Sequence, residues 1–219
     1  MILQTKNLIK TFTQGNSQIH AVNNIDISIS AGESIAITGK SGSGKTTLLS
    51  LLTGLESSTS GDVIILDNPI TKMNEKELGS FRANNIGIVF QQFHLMPHLT
   101  ALENVTLALE IANSDNIRGK AMEALTTVGL KNRVHHLPSE LSGGENQRVA
   151  IARAIVNNPK ILFADEPSGN LDSITGETVM NLLFDLTNKN KMTLVLVTHD
   201  EQLALRCDRK INISNGKVL

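Results

Sequence analysis

Eight consecutive residues, Gly39-Lys40-Ser41-Gly42-Ser43-Gly44-Lys45-Thr46, carry the clearest chemistry in the chain. A triphosphate bears several negative charges and needs many donors brought close with few side chains in the way. Gly39, Gly42 and Gly44 permit that approach. The loop amides and the positive end of a following helix can then point at phosphate oxygens. Lys45 brings a full charge for the β- and γ-phosphates, and the Thr46 hydroxyl suits a Mg²⁺ ligand. The flanks agree, because Ser34 to Thr38 is short, β-branched and apolar like a buried strand. Thr47-Leu48-Leu49-Ser50-Leu51-Leu52 has helical composition.

A second set of candidates lies further on. Ile161-Leu162-Phe163-Ala164 ends in adjacent carboxylates, Asp165 and Glu166. Neighbours on a strand point to opposite sides, so the two must differ in role. Asp165 is the natural partner of a Mg²⁺ held by Thr46, and Glu166 is placed to polarise an attacking water. Two solvated carboxylates at a strand exit are the plainer alternative. Gln91 follows the apolar run 86–90 and His199 follows the run 193–198. Ligands of open parallel sheets gather at strand C-termini, so Gln91, Asp165, Glu166 and His199 are expected to converge on the phosphate loop. Leu141-Ser142-Gly143-Gly144-Glu145 opens a helix. Ser142 and Glu145 have capping-box spacing. Capping does not explain the two glycines, which leave the helix terminus open to an anion. Phe12 is either a stacking platform for a base or a core-edge aromatic. His94 and His98 are four apart, but Pro97 between them argues against a helical metal pair. His135 and His136 read as loop residues.

The elements that must position these groups follow from periodicity. Residues 2–10 read as a strand, 13–18 as a polar turn, and 25–29 as a half-buried strand antiparallel to the first. Strands are expected at 63–66, 86–90, 161–164 and 193–198, with a closing hairpin turned by Asn215-Gly216. Helical segments are expected over 74–84, over 101–112 capped by Thr100, over 118–128, after Ser142, and over 175–187. The fold class is α/β: a P-loop NTPase core with a mainly parallel sheet, an N-terminal antiparallel β subdomain and an inserted helical lobe. The 219 residues form a single domain, with core 1–91 and 158–219 and lobe 92–157.

Composition excludes several classes. Lys plus Arg total 20 against 21 Asp plus Glu, so no global basic field marks a nucleic-acid binder. Trp and Tyr are absent and Phe numbers 6, leaving few platforms for single-stranded bases. One cysteine, Cys207, precludes an internal disulfide, fits a reducing compartment and reads as a packing residue. No stretch approaches the length of a membrane span and the start lacks a secretory signal. Work at a membrane therefore calls for a second polypeptide to supply the spans.

In combination, the phosphate loop, Gln91, LSGGE at 141–145, FADEP at 163–167 and His199 resemble the ATP-binding cassette (ABC) ATPases over essentially the whole chain. The phosphate loop alone is shared by many NTPases. LSGG followed by an apolar strand ending Asp-Glu and then a later His is far more specific. The resemblance implies a head-to-tail homodimer with two ATP molecules between subunits. Gly39, Lys40, Ser41, Gly42, Ser43, Gly44, Lys45, Thr46 and Thr47 of one subunit would hold ATP and face Ser142, Gly143, Gly144 and Glu145 of the other. It implies Thr46, Gln91 and Asp165 at Mg²⁺, Glu166 as general base and His199 at the γ-phosphate. Phe12 would stack on adenine, and Asp172 would lie in a loop communicating across the dimer.

GNLD at 169–172, ALENV at 101–105, LSGGENQR at 141–148 and VTHD at 197–200 look like the branch with lipoprotein-releasing, macrolide-exporting and YbbA-type ATPases. LALRCDR at 203–209 leans toward the last. Phe12, Ser168 and Glu145 stand where Tyr, Thr and Gln are frequent. The resemblance implies a separate four-span permease with a large periplasmic domain, attachment through it to the cytoplasmic face of the inner membrane, and export or extraction of a hydrophobic or lipid-linked substrate. Phe93, Leu95, Met96 and Leu99 would then receive a permease helix, or else pack within the lobe. The alternative is a soluble ABC-type ATPase of DNA repair or the ribosome. Such proteins usually carry two cassettes or a long coiled-coil or zinc insertion, and neither is present here.

Overall fold

The structure, a computed structural model, describes residues 1–15 and 17–219. Asn16, part of the turn expected over 13–18, lies outside the described residues. In chain order the elements are β1 (Leu3–Gln14), β2 (Ser17–Ile25), β3 (Ser28–Ile29), β4 (Ser34–Thr38), α1 (Lys45–Leu52), β5 (Ser60–Ile65), β6 (Asn68–Pro69), α2 (Glu75–Asn85) and β7 (Ile86–Phe90). They continue with α3 (Ala101–Ile111), α4 (Ile117–Thr127), α5 (Gly143–Ile155), β8 (Ile161–Asp165), α6 (Ser173–Lys189), β9 (Thr193–Val197), α7 (Glu201–Ala204), β10 (Arg209–Ser214) and β11 (Lys217–Val218). They fall into two compact units, Met1–Gly79 with Thr193–Leu219, and Ser80–Met192.

The first unit holds an antiparallel sheet in which β1 pairs with β2, β3 and β5, and β5 with β6. The strand expected over 25–29 is broken. The Thr5 hydroxyl accepts from the Ile27 amide at 2.8 Å and donates to the Ile25 carbonyl at 2.9 Å, replacing ladder bonds and dividing β2 from β3. The unit also holds parallel strands in the order β10, β4, β9, with β11 antiparallel on β10. Ile35, Ile37, Val195 and Val197 are fully buried, which is why β4 and β9 read as continuous apolar runs. Asn215 and Gly216 have φ of 48° and 73°, the left-handed pair that a two-residue hairpin needs. Helix α7 escaped the sequence reading because it spans four residues and shows no period. The Asp200 carboxylate caps it by accepting from Gln202 N at 2.7 Å.

In the second unit β7 and β8 run parallel from Ile86 opposite Ile161 to Phe90 opposite Asp165. Helix α5 lies so close to β7 that a Cβ on Gly87 would stand 2.3 Å from the Ala154 carbonyl oxygen. Glycine at 87 is therefore a packing requirement. Thr100 begins α3 in a complete capping box with Glu103. Among the described residues no helix is long and apolar enough to cross a membrane.

Candidate active site

Within the first unit the phosphate loop runs from the end of β4 into α1. Gly44 caps α1 at φ 103°, no side chain caps the helix, and its first turn holds no acidic residue. The leading amides of a helix lack intrahelical acceptors, so this terminus is an uncompensated cluster of donors. Lys45 is 7 % exposed and folds back over the loop, its Nζ donating to the Gly39 carbonyl at 2.9 Å and the Lys40 carbonyl at 3.1 Å. The buried Ser43 hydroxyl has no hydrogen-bond partner. The donor set fits a nucleotide triphosphate. For Mg²⁺ the fit is of a different kind. No group of three or more His, Cys, Asp or Glu among the described residues could hold a metal. The Thr46 hydroxyl is exposed on α1, and Asp165 ends β8 in the second unit; hydroxyl and carboxylate oxygens are each of the donor type that Mg²⁺ accepts.

The structure refines the reading of the glycines. A Cβ on Gly39 would meet the Ile213 carbonyl oxygen at 2.2 Å, and one on Gly44 would meet that of Ala21 at 2.1 Å. These two are demanded by the loop's seat on neighbouring backbone as well as by positive φ. A Cβ on Gly42, at φ 76°, would meet nothing within 4 Å.

The same unit positions His199 and Phe12. β4 and β9 are paired through Ile37 and Val197, and the Thr198 amide donates to the Ile37 carbonyl at 3.1 Å. Exposed His199 follows directly, at the strand end from which the phosphate loop departs. Phe12 is 40 % exposed on β1, opposite Ile19, with Lys10 Nζ 4.9 Å from its ring centroid. It is an exposed side chain on the strand and does not fill a core.

The second unit gathers Gln91, Asp165, Glu166 and Asp172. Because Phe90 is paired with Asp165, Gln91 and Glu166 are the next residues out along adjacent strands. Gln91 Nε2 donates to Asn170 Oδ1 at 3.0 Å, and Asn170 Nδ2 returns a bond to the Gln91 carbonyl at 3.0 Å. A Cβ on Gly169 would stand 2.7 Å from Gln91 Nε2, so glycine there makes room for the pair. Glu166 sits at φ 43°, a left-handed conformation that costs a side-chain-bearing residue about 1–3 kcal/mol. Its carbonyl accepts from Gly169 N at 2.9 Å, and Gln147 Nε2 donates to the Pro167 carbonyl at 2.6 Å, so the turn is held on both sides.

Asp172 caps α6, accepting from the Thr175 amide at 3.0 Å, and that bond holds its carboxyl below the ordinary carboxylate range. A group with a depressed folded pKa stabilises above its unfolded pKa and loses that contribution as pH falls through the folded value. Asp172→Ala is therefore expected to lower the melting temperature at neutral pH. Its gap from wild type should begin to narrow as pH falls below about 4, the ordinary aspartate value, and keep narrowing toward the depressed folded value. Thermal melts from pH 7 to pH 3 test this, and a gap independent of pH would refute it.

Ser142 opens α5 with both capping-box bonds formed: its hydroxyl accepts from Glu145 N at 3.3 Å, and its amide donates to Glu145 Oε2 at 2.8 Å. Arg133 Nε holds the other carboxylate oxygen at 3.1 Å. Bonds to Ser142 and Arg133 keep the Glu145 carboxyl below its usual range against the opposing effect of burial. A Cβ on Gly144 would stand 2.4 Å from the Thr175 methyl, and one on Gly143 3.2 Å from Leu171. The chain around Asp172 thus packs closely on Gly144 and more loosely on Gly143.

Three positioning side chains escaped the sequence reading. Gln147 and Arg153 of α5 reach the chain on either side of Gln91. Asn104 of α3, fully buried, accepts from the Met96 amide at 2.7 Å and donates to the Leu99 carbonyl at 2.9 Å. It holds the stretch that presents Met96, which is 48 % exposed. For Gln147 a signal existed, since it falls on the same helical stripe as Gly144, Ile151 and Ala154, where an apolar residue is expected.

Residues 22–169 match the sequence profile of the family described as ABC transporter. An uncharacterized ABC transporter ATP-binding protein YbbA of Escherichia coli (strain K12) is 45% identical over 219 residues, covering 99% of this chain and 96% of the relative. A lipoprotein-releasing system ATP-binding protein LolD of Syntrophotalea carbinolica reaches the same identity and coverage. Among solved structures, the ATP-binding cassette MJ0796, a dimer in a post-hydrolysis state bound to ADP and Pi, superposes with a TM-score of 0.91 at 42% identity. That alignment covers 99% of this chain and 96% of the other. The α/β architecture, with its antiparallel β subdomain, parallel strands and helices, is the fold of that cassette.

Proposed function

From the premise that this chain belongs to the ABC transporter family and is one of its ATPases, we propose that it drives a separate membrane permease by closing as a head-to-tail homodimer on two ATP molecules. The observation that carries this reading is the division of chemistry between the units. One bears a bare, acid-free helix terminus with Lys45 folded over it. The other bears the braced turn of Gln91, Glu166 and Asn170. The residues from Gly39 to Thr47 hold the triphosphate, Phe12 takes the adenine, and His199 meets the γ-phosphate. Thr46, Gln91 and Asp165 hold Mg²⁺, which when bound neutralises charge on the phosphate oxygens. Glu166 takes the proton of the attacking water. Ser142, Gly143, Gly144 and Glu145 face the nucleotide of the other subunit, with Asp172 at the seam. Residues 92–157 act as the lobe that carries α5, the helix opened by LSGGE.

The permease is of the four-span type, it places this subunit at the cytoplasmic face of the inner membrane, and the substrate is hydrophobic or lipid-linked. Relatives at 45% identity include one named as part of a lipoprotein-releasing system, which supports that class. Exposed Met96, on the loop that leaves Gln91, is the contact for a permease helix. The experiment is to tag Glu166→Gln protein in its native cells, solubilise membranes with ATP and Mg²⁺, and identify what copurifies. A four-span protein with a large extracytoplasmic domain is expected. Ribosomal or DNA-repair proteins without a membrane partner would overturn the reading.

A further inference from the structure

The loop that leaves β7 at Gln91 is held in an unfavourable shape by one side chain. Phe93 and His94 both lie in the left-handed region, at φ 53° and 47°, which residues with a Cβ seldom adopt in succession. Their carbonyls turn inward and are taken by a single guanidinium. Arg153 Nη2 donates to the Phe93 carbonyl at 2.7 Å and Nη1 to the His94 carbonyl at 2.6 Å. Arg153 is half-buried, and burial pushes its guanidinium below the ordinary arginine range. Withdrawing a cation from water is unfavourable, and the two carbonyls hold it there. Three residues back from Phe93, Gln147 Nε2 reaches the Phe90 carbonyl at 3.3 Å. Gln91 therefore lies between two backbone points fixed by α5, the helix that Ser142 begins.

We propose that Arg153 is a positioning residue for Gln91: by holding the Phe93 and His94 carbonyls it fixes the left-handed turn that sets where the Gln91 side chain lies. The proposal rests on the assignment of Gln91 to the hydrolytic site made above. A planar guanidinium spans two adjacent carbonyls, as an ammonium on a flexible stem does not. The phosphate loop belongs to the other unit, so loss of Arg153 should act on turnover and leave nucleotide capture in place.

The test measures kcat, the KM for ATP and the melting temperature of the full chain carrying Arg153→Met, Arg153→Lys, His94→Gly, Gln91→Ala and the pair Arg153→Met with His94→Gly. Misplacing a catalytic group by about 1 Å can reduce rates by about a hundredfold. Arg153→Met is thus expected to lose about tenfold or more in kcat with the KM for ATP within about twofold. Arg153→Lys should fall between, and His94→Gly alone should stay near wild type. Glycine adopts positive φ without penalty, so adding His94→Gly to Arg153→Met should recover about threefold or more in kcat. A folded Arg153→Met protein with wild-type kcat, while Gln91→Ala is impaired, would overturn the inference and leave the site assignment standing. A loss in which melting temperature, kcat and KM decline together and His94→Gly restores nothing would reduce Arg153 to packing and equally overturn it. Wild-type kcat in Gln91→Ala would remove the assignment of Gln91 and the proposal with it.

Discussion

Glu166→Gln is expected to slow ATP turnover by about a hundredfold to a thousandfold, the scale of losing a general base, while ATP affinity stays within about threefold of wild type. Glutamine keeps the shape of the side chain and removes its ability to take a proton. The size of the effect depends on how firmly the base is aimed, and the turn that aims it is held at several points. The Glu166 carbonyl accepts from Gly169, Asn170 and Gln91 exchange two hydrogen bonds, and Gln147 holds the Pro167 carbonyl. Glu166 bears its left-handed φ of 43° within that frame. Strain at a residue that must present a carboxylate is consistent with a site built for positioning. Single-turnover hydrolysis together with nucleotide binding separates the two effects, and an ATP-dependent dimer should accumulate on size exclusion. Unchanged turnover would remove Glu166 from the role of base.

What the sequence made legible was local. Strand 86–90, the Thr100 cap and the strand-loop-helix at 34–52 were each signalled by residues within a few positions of one another, and the structure has them there. What remained hidden depended on distant partners. Gly143 and Gly144 suggested a helix end left open to an anion, and nothing near them in sequence signalled that Gly144 also packs on the Thr175 methyl, 2.4 Å from where its Cβ would be. The break between β2 and β3 comes from one hydroxyl of Thr5, about 20 residues earlier in the chain. Arg153 looks like any cation near the C-terminal end of a helix, where it favours the dipole, until the two carbonyls it holds are seen. The four hydrolytic candidates were expected at strand ends, and each does follow a strand: His199 after β9, Gln91 after β7, and Asp165 and Glu166 at the end of β8.

Gly44→Ala is expected to abolish nucleotide binding and to destabilise the protein by more than about 3 kcal/mol, whereas Gly42→Ala should cost only about 1–2 kcal/mol. Both glycines have positive φ, at 103° and 76°, so conformational preference alone does not separate them. Surroundings do. A Cβ at 42 meets nothing within 4 Å, but one at 44 would stand 2.1 Å from the Ala21 carbonyl oxygen, and that oxygen belongs to backbone, which cannot rotate away. The loop has little room to retreat, because Gly216 N donates to the Ser43 carbonyl at 3.0 Å and Asn23 N donates to the Gly216 carbonyl at 2.8 Å. Relief would have to break this chain of backbone bonds or displace Gly44 from the cap of α1, where its carbonyl accepts from Leu48 N at 2.8 Å. Either route disperses the amides that give the helix terminus its affinity for phosphate. Urea denaturation and nucleotide titration of both variants test the contrast. Equal stability for the two would show that the seat on Ala21 yields, and that the conformational freedom of glycine alone accounts for the loop.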